Sequence, residues 1–269
     1  MMKTLDVAVV QNSAGPNEEE NLSGLEKLLA DAAGADLVAL PEVVTGRGDA
    51  GYYRAAAQPL EGRVCERLAE SARKLGAWLL AGSLIERDGE HVYNTSVLFD
   101  RGGSIAGKYR KIHLFEARLE DGARIREADS YEPGREPALA DLEGWKSGFA
   151  ICYDLRFPEL FRYYAAHDAA LLLAPSNFTQ RTGKDHWEVL IRARAIENQC
   201  FVVAPNQCGR NPATGVKSHG HSMVVGPWGE VLCRAGTEQT VVRARLDPGV
   251  LASVRARVPA LKHRVIFSP

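Results

Sequence analysis

The sequence has no surplus of charge. Its 33 Lys and Arg residues are matched by 34 Asp and Glu, so it lays no one-signed field along a polyphosphate or an anionic lipid surface. This argues against nucleic acid and membrane as partners and for a small molecule. Long apolar runs are also missing. The longest, AALLLAP at 169–175, is far too short to cross a bilayer. The opening stretch MMKTLDVAVVQ carries Asp6 inside its apolar part and offers no small-residue cleavage site, so it is expected to form a first strand rather than an export signal. There is no C-x-x-C pair with a matching second pair or histidine partner. The five cysteines (Cys65, Cys152, Cys200, Cys208 and Cys233) are odd in number and scattered. Free thiols in a reducing, cytoplasmic setting are the expectation, with no metal or cofactor. No Pro/Ser-rich linker, charge block or repeat divides the chain, so residues 1–269 are expected to form one domain.

What is present is ordinary globular material, 45% hydrophobic and 25% charged, rich in short apolar runs. DVAVVQ (6–11), DLVALPE (36–42), AWLLAGSLIE (77–86), NTSVLFD (94–100), GFAICYD (148–154), ALLLAPS (170–176), CFVVAPN (200–206) and HSMVVGP (221–227) all read as strands. Helical periods lie between several of them. Leu22, Leu25, Leu28, Leu29 and Ala32 share one face, as do Val64, Leu68, Ala72 and Leu75, and helices also fit 156–166 and 186–199. FDRGGSIAGKYR (99–110) and GPWGEVLCRAG (226–236) have the turn chemistry of hairpins. Strands alternating with helices and hairpins indicate an α/β chain with helices outside its sheets. Residues 115–138 are polar and aperiodic, the longest expected loop, and long loops inside compact domains tend to be functional.

Three apolar runs lead to a reactive group. LVALPE ends on Glu42, GKYRKIHLF carries Lys111, and GFAICYD holds Cys152 near its end. Together they match what a thiol needs to attack an unactivated amide. Cysteine, with a free pKa of about 8.5, is mostly protonated at neutral pH and needs a base. A cation must hold the developing oxyanion. The protonated base must then serve the leaving ammonia and activate water. Glu42, Lys111 and Cys152 can fill these roles without histidine or metal, acting in the transition state rather than in folding. FPELFRYY reads as a helix behind Cys152, which would aim the sulfur from a strand end and favour the thiolate. The Tyr153 backbone N–H is then a second oxyanion donor.

Other reactive residues carry plainer readings. His219 and His221 share a strand face without a third ligand in sight. Cys200 and Cys208 flank an apolar run and read as core thiols. Arg192, Arg194 and Glu197 read as helix ion pairs. His113 fits a positioning or a packed structural role equally.

These motifs resemble those of the nitrilase superfamily of carbon–nitrogen hydrolases. The resemblance runs from DVAVVQ through LPE, YRKIHLF, ICYDLRFPEL, TGKDHWEVLIRARAIENQ and GHSMVVGPWGE to the LDPGVLASVRARVPALKHR tail. It implies a four-layer α-β-β-α sandwich, a Glu-Lys-Cys triad, a thioester on Cys152, and association through an outer helical layer into homodimers or larger even assemblies. It also assigns Glu127, in EADSYEPG, as a second catalytic glutamate beside Lys111, with Ala128 departing from the serine of the usual pattern. The nearest branch hydrolyses deaminated glutathione. Neighbouring ω-amidases, N-carbamoyl hydrolases and nitrilases are alternatives, as is a catalytically silent binding protein. For the substrate, Arg156 lies four residues past the nucleophile, where its planar fork could clamp a carboxylate or pair with Asp154. Phe178 and Thr179 are expected to wall the pocket, and Asn177 and Asn206 stand where this branch usually has alanine.

Overall fold

The computed structural model describes residues 2–118 and 124–265. The chain runs β1 (Leu5–Gln11), α1 (Glu18–Asp31), β2 (Leu37–Ala39), α2 (Ala50–Ala56), α3 (Arg63–Leu75), β3 (Trp78–Leu80), β4 (Leu84–Asp88), β5 (His91–Phe99) and β6 (Ile105–Arg110). It continues with β7 (Glu116–Arg118), β8 (Arg124–Arg126), β9 (Leu139–Leu142), β10 (Trp145–Phe149), α4 (Pro158–Ala166), β11 (Leu171–Leu173), α5 (Gln180–Asn198), β12 (Phe201–Ala204), β13 (Met223–Val225), β14 (Val231–Arg234), β15 (Thr240–Leu246) and α6 (Pro248–Arg257).

Two sheets result. One follows the order β15-β1-β2-β3-β5-β4, with β6 pairing β5, and the other the order β14-β13-β12-β11-β10-β9. At the heart of each are three parallel strands, β1-β2-β3 and β10-β11-β12. Each parallel step needs a crossover, and helices supply it.

The layering follows from side-chain parity. Successive residues of a strand point to opposite faces. Leu5, Val7, Val9, Leu37, Ala39 and Leu80 join one core cluster with the second sheet, including Phe149, Leu171, Val202 and Met223. Ala8, Val10, Val38, Leu40 and Leu79 point the other way, onto Leu25 and Leu29 of α1 and Leu68 and Ala72 of α3. The second sheet is likewise covered by Phe161 and Tyr164 of α4 and Trp187 and Ile191 of α5. This is the four-layer α-β-β-α sandwich.

Local chemistry sets the helix ends. Asn17 accepts hydrogen bonds from the Glu19 and Glu20 amides, and three glutamates occupy the first turn of α1, where the helix dipole favours them. Gly76 ends α3 in a left-handed conformation.

The structure departs from expectation in several places. The run 77–86 is split into β3 and β4, because Gly82 has φ +66° and a Cβ there would lie 1.9 Å from the Pro41 carbonyl oxygen. That close approach seats the Leu-Pro-Glu segment. The helix expected from 186 begins at Gln180, where the Thr179 hydroxyl caps it. The helix expected from 156 begins at Pro158, after a separate 3-10 turn over Cys152–Arg156. Within the 115–138 stretch, β7 pairs with β8 and a 3-10 turn spans Glu127–Asp129, so much of the expected loop is regular.

Candidate active site

The parallel strands deliver the reactive groups just beyond their carboxyl ends, where open α/β sheets bind ligands. Glu42 follows β2 and Cys152 follows β10, while Lys111 directly follows β6. Cys152 lies three residues past its strand with φ 48°, and Val43, beside Glu42, has φ 47°. For a β-branched residue such a φ is an outlier. Each left-handed residue costs about 1–3 kcal/mol that the surrounding packing must offset.

Glu42, Lys111, Glu127 and Cys152 converge. Lys111, wholly buried, places Nζ 2.8 Å from Glu42 Oε1 and 2.8 Å from both Glu127 oxygens. Asn94 Nδ2 donates to the same Glu42 oxygen at 2.9 Å, leaving Oε2 as the oxygen without a partner among the described residues. The Gln207 side-chain amide donates to the Glu42 carbonyl at 3.0 Å while its oxygen accepts from the Ala14 amide. Glu127 Oε2 also accepts from the Phe115 amide at 2.7 Å.

The electrostatics sort the roles. Burial alone would push the Lys111 ammonium pKa down, but the Glu127 and Glu42 carboxylates outweigh it and hold the pKa well above the usual lysine value. Burial pushes the Glu127 carboxyl up, with Lys111 opposing. The Cys152 thiol is raised well above the ordinary thiol range by burial and then by the Glu42 charge. Lys111 and a hydrogen bond from the Asn177 backbone amide oppose the shift. Burial and the Glu42 charge thus favour the neutral thiol and work against the thiolate expected from the turn, so a carboxylate is needed to take the proton as the sulfur attacks.

Asp154 was anticipated only as a salt-bridge partner of Arg156. Instead it is fully buried and ties the lysine and cysteine segments together. Its Oδ2 accepts from Tyr109 Oη and the Ile151 amide, each at 2.8 Å, and its Oδ1 from the His113 amide at 3.1 Å. His113 adds Nδ1 at 2.7 Å from Oδ1 and stacks on Phe157 at 3.7 Å between centroids. His113 is thus a packed structural histidine. No local signal marks Asp154 as a hub, because Tyr109 and His113, its partners besides Ile151, lie some 40 positions away.

Glu42, Glu127 and Cys152 border a cavity of about 290 Å³, walled also by Arg47, Tyr53, Phe115, Tyr153, Arg156, Asn177, Phe178, Thr179 and Ser218. Arg156, half-buried, meets no carboxylate among the described residues. Its guanidinium lies 3.3 Å from His186 Nδ1 and faces the rings of Tyr153 and Phe178. The Tyr153 backbone N–H belongs to the first turn of the Cys152–Arg156 helix, where amides lack intrahelical acceptors. Asn206 lies behind the pocket, fully buried, bonding the Phe178 amide and the Gly220 carbonyl. Asn177 alone of the two asparagines reaches the cavity.

The remaining residues take structural places. Cys200 and Cys208 are buried. Arg194 pairs with Glu197 at 2.7 Å and donates to the Leu155 carbonyl, Arg192 pairs with Glu188 at 3.5 Å, and the His219 and His221 rings stack at 4.3 Å. Among the described residues no group of three or more His, Cys, Asp or Glu side chains could hold a metal ion. No described helix is long and apolar enough to cross a membrane.

Comparison with known proteins agrees with this geometry. The family model for carbon–nitrogen hydrolases matches residues 6–256. The chain is 37% identical to an omega-amidase NIT2 of Xenopus tropicalis over 98% of its own length and 96% of the relative's. It is 40% identical to a deaminated glutathione amidase of Mus musculus over 96% of its length and 82% of the relative's. The solved structure of Saccharomyces cerevisiae Nit3, a member of branch 10 of the nitrilase superfamily, superposes with a TM-score of 0.87 at 32% identity, covering 99% of this chain and 98% of that one. With Glu42, Lys111 and Cys152 brought together in a four-layer sandwich, the chain belongs to the carbon–nitrogen hydrolase family and is an amidase.

Proposed function

We propose that the protein hydrolyses a small carboxylate-bearing amide to acid and ammonia through a thioester on Cys152. The single observation that carries this reading is the buried Lys111 ammonium bridging Glu42 and Glu127 at the wall that holds Cys152.

Glu42 takes the Cys152 proton as the sulfur bonds to the amide carbon. The carbonyl oxygen, now an anion, is held by Lys111 Nζ and the Tyr153 backbone N–H. The tetrahedral species collapses, the C–N bond breaks, and Glu42 returns the proton so that nitrogen departs as ammonia from a primary amide, or as the cysteinylglycine amine from deaminated glutathione. Water, deprotonated by Glu42, attacks the thioester. The C–S bond breaks, the acid leaves, and the thiol is restored. Glu127 keeps Lys111 charged and aimed throughout.

Deaminated glutathione is the favoured substrate, supported by the mouse relative's name and by Arg156, a guanidinium without an acid partner among the described residues at the pocket wall. The ω-amidase reading is supported by the Xenopus relative. Phe178 would wall the acyl chain, and Thr179, which also caps α5, would line the entrance. Release of cysteinylglycine from deaminated glutathione, measured beside release of ammonia from α-ketoglutaramate, N-carbamoyl amines and nitriles, tests the assignment. A preference in kcat/KM for a nitrile or a carbamoyl amine would overturn it.

We also propose one domain over residues 1–269, a cytoplasmic location, and a homodimer or larger even assembly. Five free cysteines support the location. Tyr163 of α4 and Val189 and Ile196 of α5, all exposed on the outer helical layer, support the assembly. Light scattering of the wild type and of Val189→Glu tests the latter, a monomeric wild type being the contrary result.

A further inference from the structure

Arg47 is wholly buried, walls the cavity, and has no carboxylate partner among the described residues. Its Nε donates to the Ala14 carbonyl at 2.7 Å, Nη2 to Ser13 Oγ and the Cys208 carbonyl at 3.1 Å each, and Nη1 to Ser218 Oγ at 2.6 Å. Ser218 Oγ in turn lies 2.6 Å from Asn177 Oδ1.

The direction of this relay is forced by donor chemistry. A guanidinium can only donate, so Ser218 Oγ accepts from Arg47. Its own proton then has one acceptor within reach, Asn177 Oδ1. Accepting from Asn177 as well would leave a buried hydroxyl proton without a partner. Asn177 Oδ1 is therefore the atom held by the relay, and Nδ2 is turned away from it. That nitrogen has no acceptor among the described residues, and Asn177 borders the cavity beside Phe178 and Cys152.

We propose that Asn177 Nδ2, oriented by Ser218 and Arg47, is a specificity-determining donor for an acceptor oxygen on the substrate's acyl chain, next to the carboxylate that Arg156 receives. The 2-oxo group of the ω-amide substrates proposed above is such an oxygen. This rests on the amidase reading above. The uncompensated Arg47 charge polarises the Ser218 hydroxyl toward Asn177 and adds positive potential where the substrate's oxygens gather. Burial lowers the Arg47 pKa only to about 10, so it stays charged at neutral pH. Asn177 combines two positions: its backbone amide meets the nucleophilic sulfur and its side chain meets the acyl group.

The test compares 4-carbamoyl-2-oxobutanoate with 4-carbamoylbutanoate, which differ only in that oxygen. The readout is the ratio of their kcat/KM values, since a merely structural role lowers both and leaves the ratio. Wild type is expected to favour the oxo compound by about tenfold, the value of one well-placed hydrogen bond. Asn177→Ala and Asn177→Asp should bring the ratio close to one. Ser218→Ala, which frees the amide to turn over, should give an intermediate ratio, and Ser218→Thr, which keeps the hydroxyl, the wild-type ratio. Calorimetric Kd values for the two amides in Cys152→Ala give the same comparison without turnover. They separate failure of this inference from failure of the amidase reading. A wild-type ratio near one, or a ratio unchanged in Asn177→Ala, overturns it. Should the Asn177 variants fail to fold, the Ser218 pair decides: equal ratios in Ser218→Ala and Ser218→Thr overturn it too.

Discussion

Lys111 Nζ sits 2.8 Å from Glu42 Oε1 with neither side chain more than 3% exposed. The cation whose charge acts on the reacting sulfur is thus also the counter-ion of its base. Removing Lys111 would leave Glu42 and Glu127 facing each other without it, and a broken buried ion pair costs about 3–5 kcal/mol. The expectation that Lys111 matters only in the transition state gives way to a dual role. Lys111→Ala is expected to cut kcat by about 10²–10³-fold and to lower Tm clearly. Glu42→Gln should cut kcat by about 10²–10⁴-fold with a smaller Tm loss. Equal Tm values for wild type and Lys111→Ala in calorimetry would refute the dual role.

Cys152→Ala is expected to abolish ammonia release, while Cys200→Ala and Cys208→Ala retain it. Intact-mass spectrometry of wild type quenched during turnover should find an acyl adduct on the peptide carrying Cys152. An adduct on another cysteine would displace it as nucleophile.

The pH profile follows from the direction of the shifts. Burial raises the Glu127 pKa, the neighbouring Glu42 charge adds to the rise and Lys111 opposes it. Rate is lost as pH falls through the raised Glu127 range, because a protonated Glu127 releases Lys111. Lys111 stays charged well into alkali, since its pKa is also raised. The acid limb of kcat/KM should lie above that of an ordinary glutamate, and Glu127→Gln should lower the plateau and shift that limb. A Glu127→Gln profile superimposable on wild type would remove Glu127 from the site.

Asp154→Ala is expected to be among the most damaging single changes outside the triad. It strips four hydrogen-bonded groups of their buried acceptor, each worth about 1–3 kcal/mol when left unpaired. Chemical denaturation should report the loss, with kcat falling in parallel because the lysine and cysteine segments lose their tie. A stable, fully active Asp154→Ala would contradict the role.

Arg156→Ala is expected to raise KM for carboxylate-bearing amides by about 10–100-fold, the worth of a charge-assisted hydrogen bond. The loss should be smaller for a simple carboxamide. Equal losses on both would assign Arg156 to packing against Tyr153 and Phe178.

The sequence by itself determined the layers and the chemistry. Strand parity, helical periodicity and turn residues are local, so the run from Leu5 to Gln11 and the helix holding Leu22, Leu25 and Leu29 could be read without a fold. Glu42, Lys111 and Cys152 stood out because each closes or follows an apolar run. Tertiary structure decided what depends on distant partners and on desolvation. The hub at Asp154 and the Arg47–Ser218–Asn177 relay join residues tens to well over a hundred positions apart, and the raised Cys152 pKa comes from burial and the Glu42 charge. A charge's neighbours set its proton affinity, and nothing in a local window reports them. Arg47, one arginine among many in the chain, became a candidate for specificity only once the fold had buried it against carbonyls and hydroxyls instead of an acid.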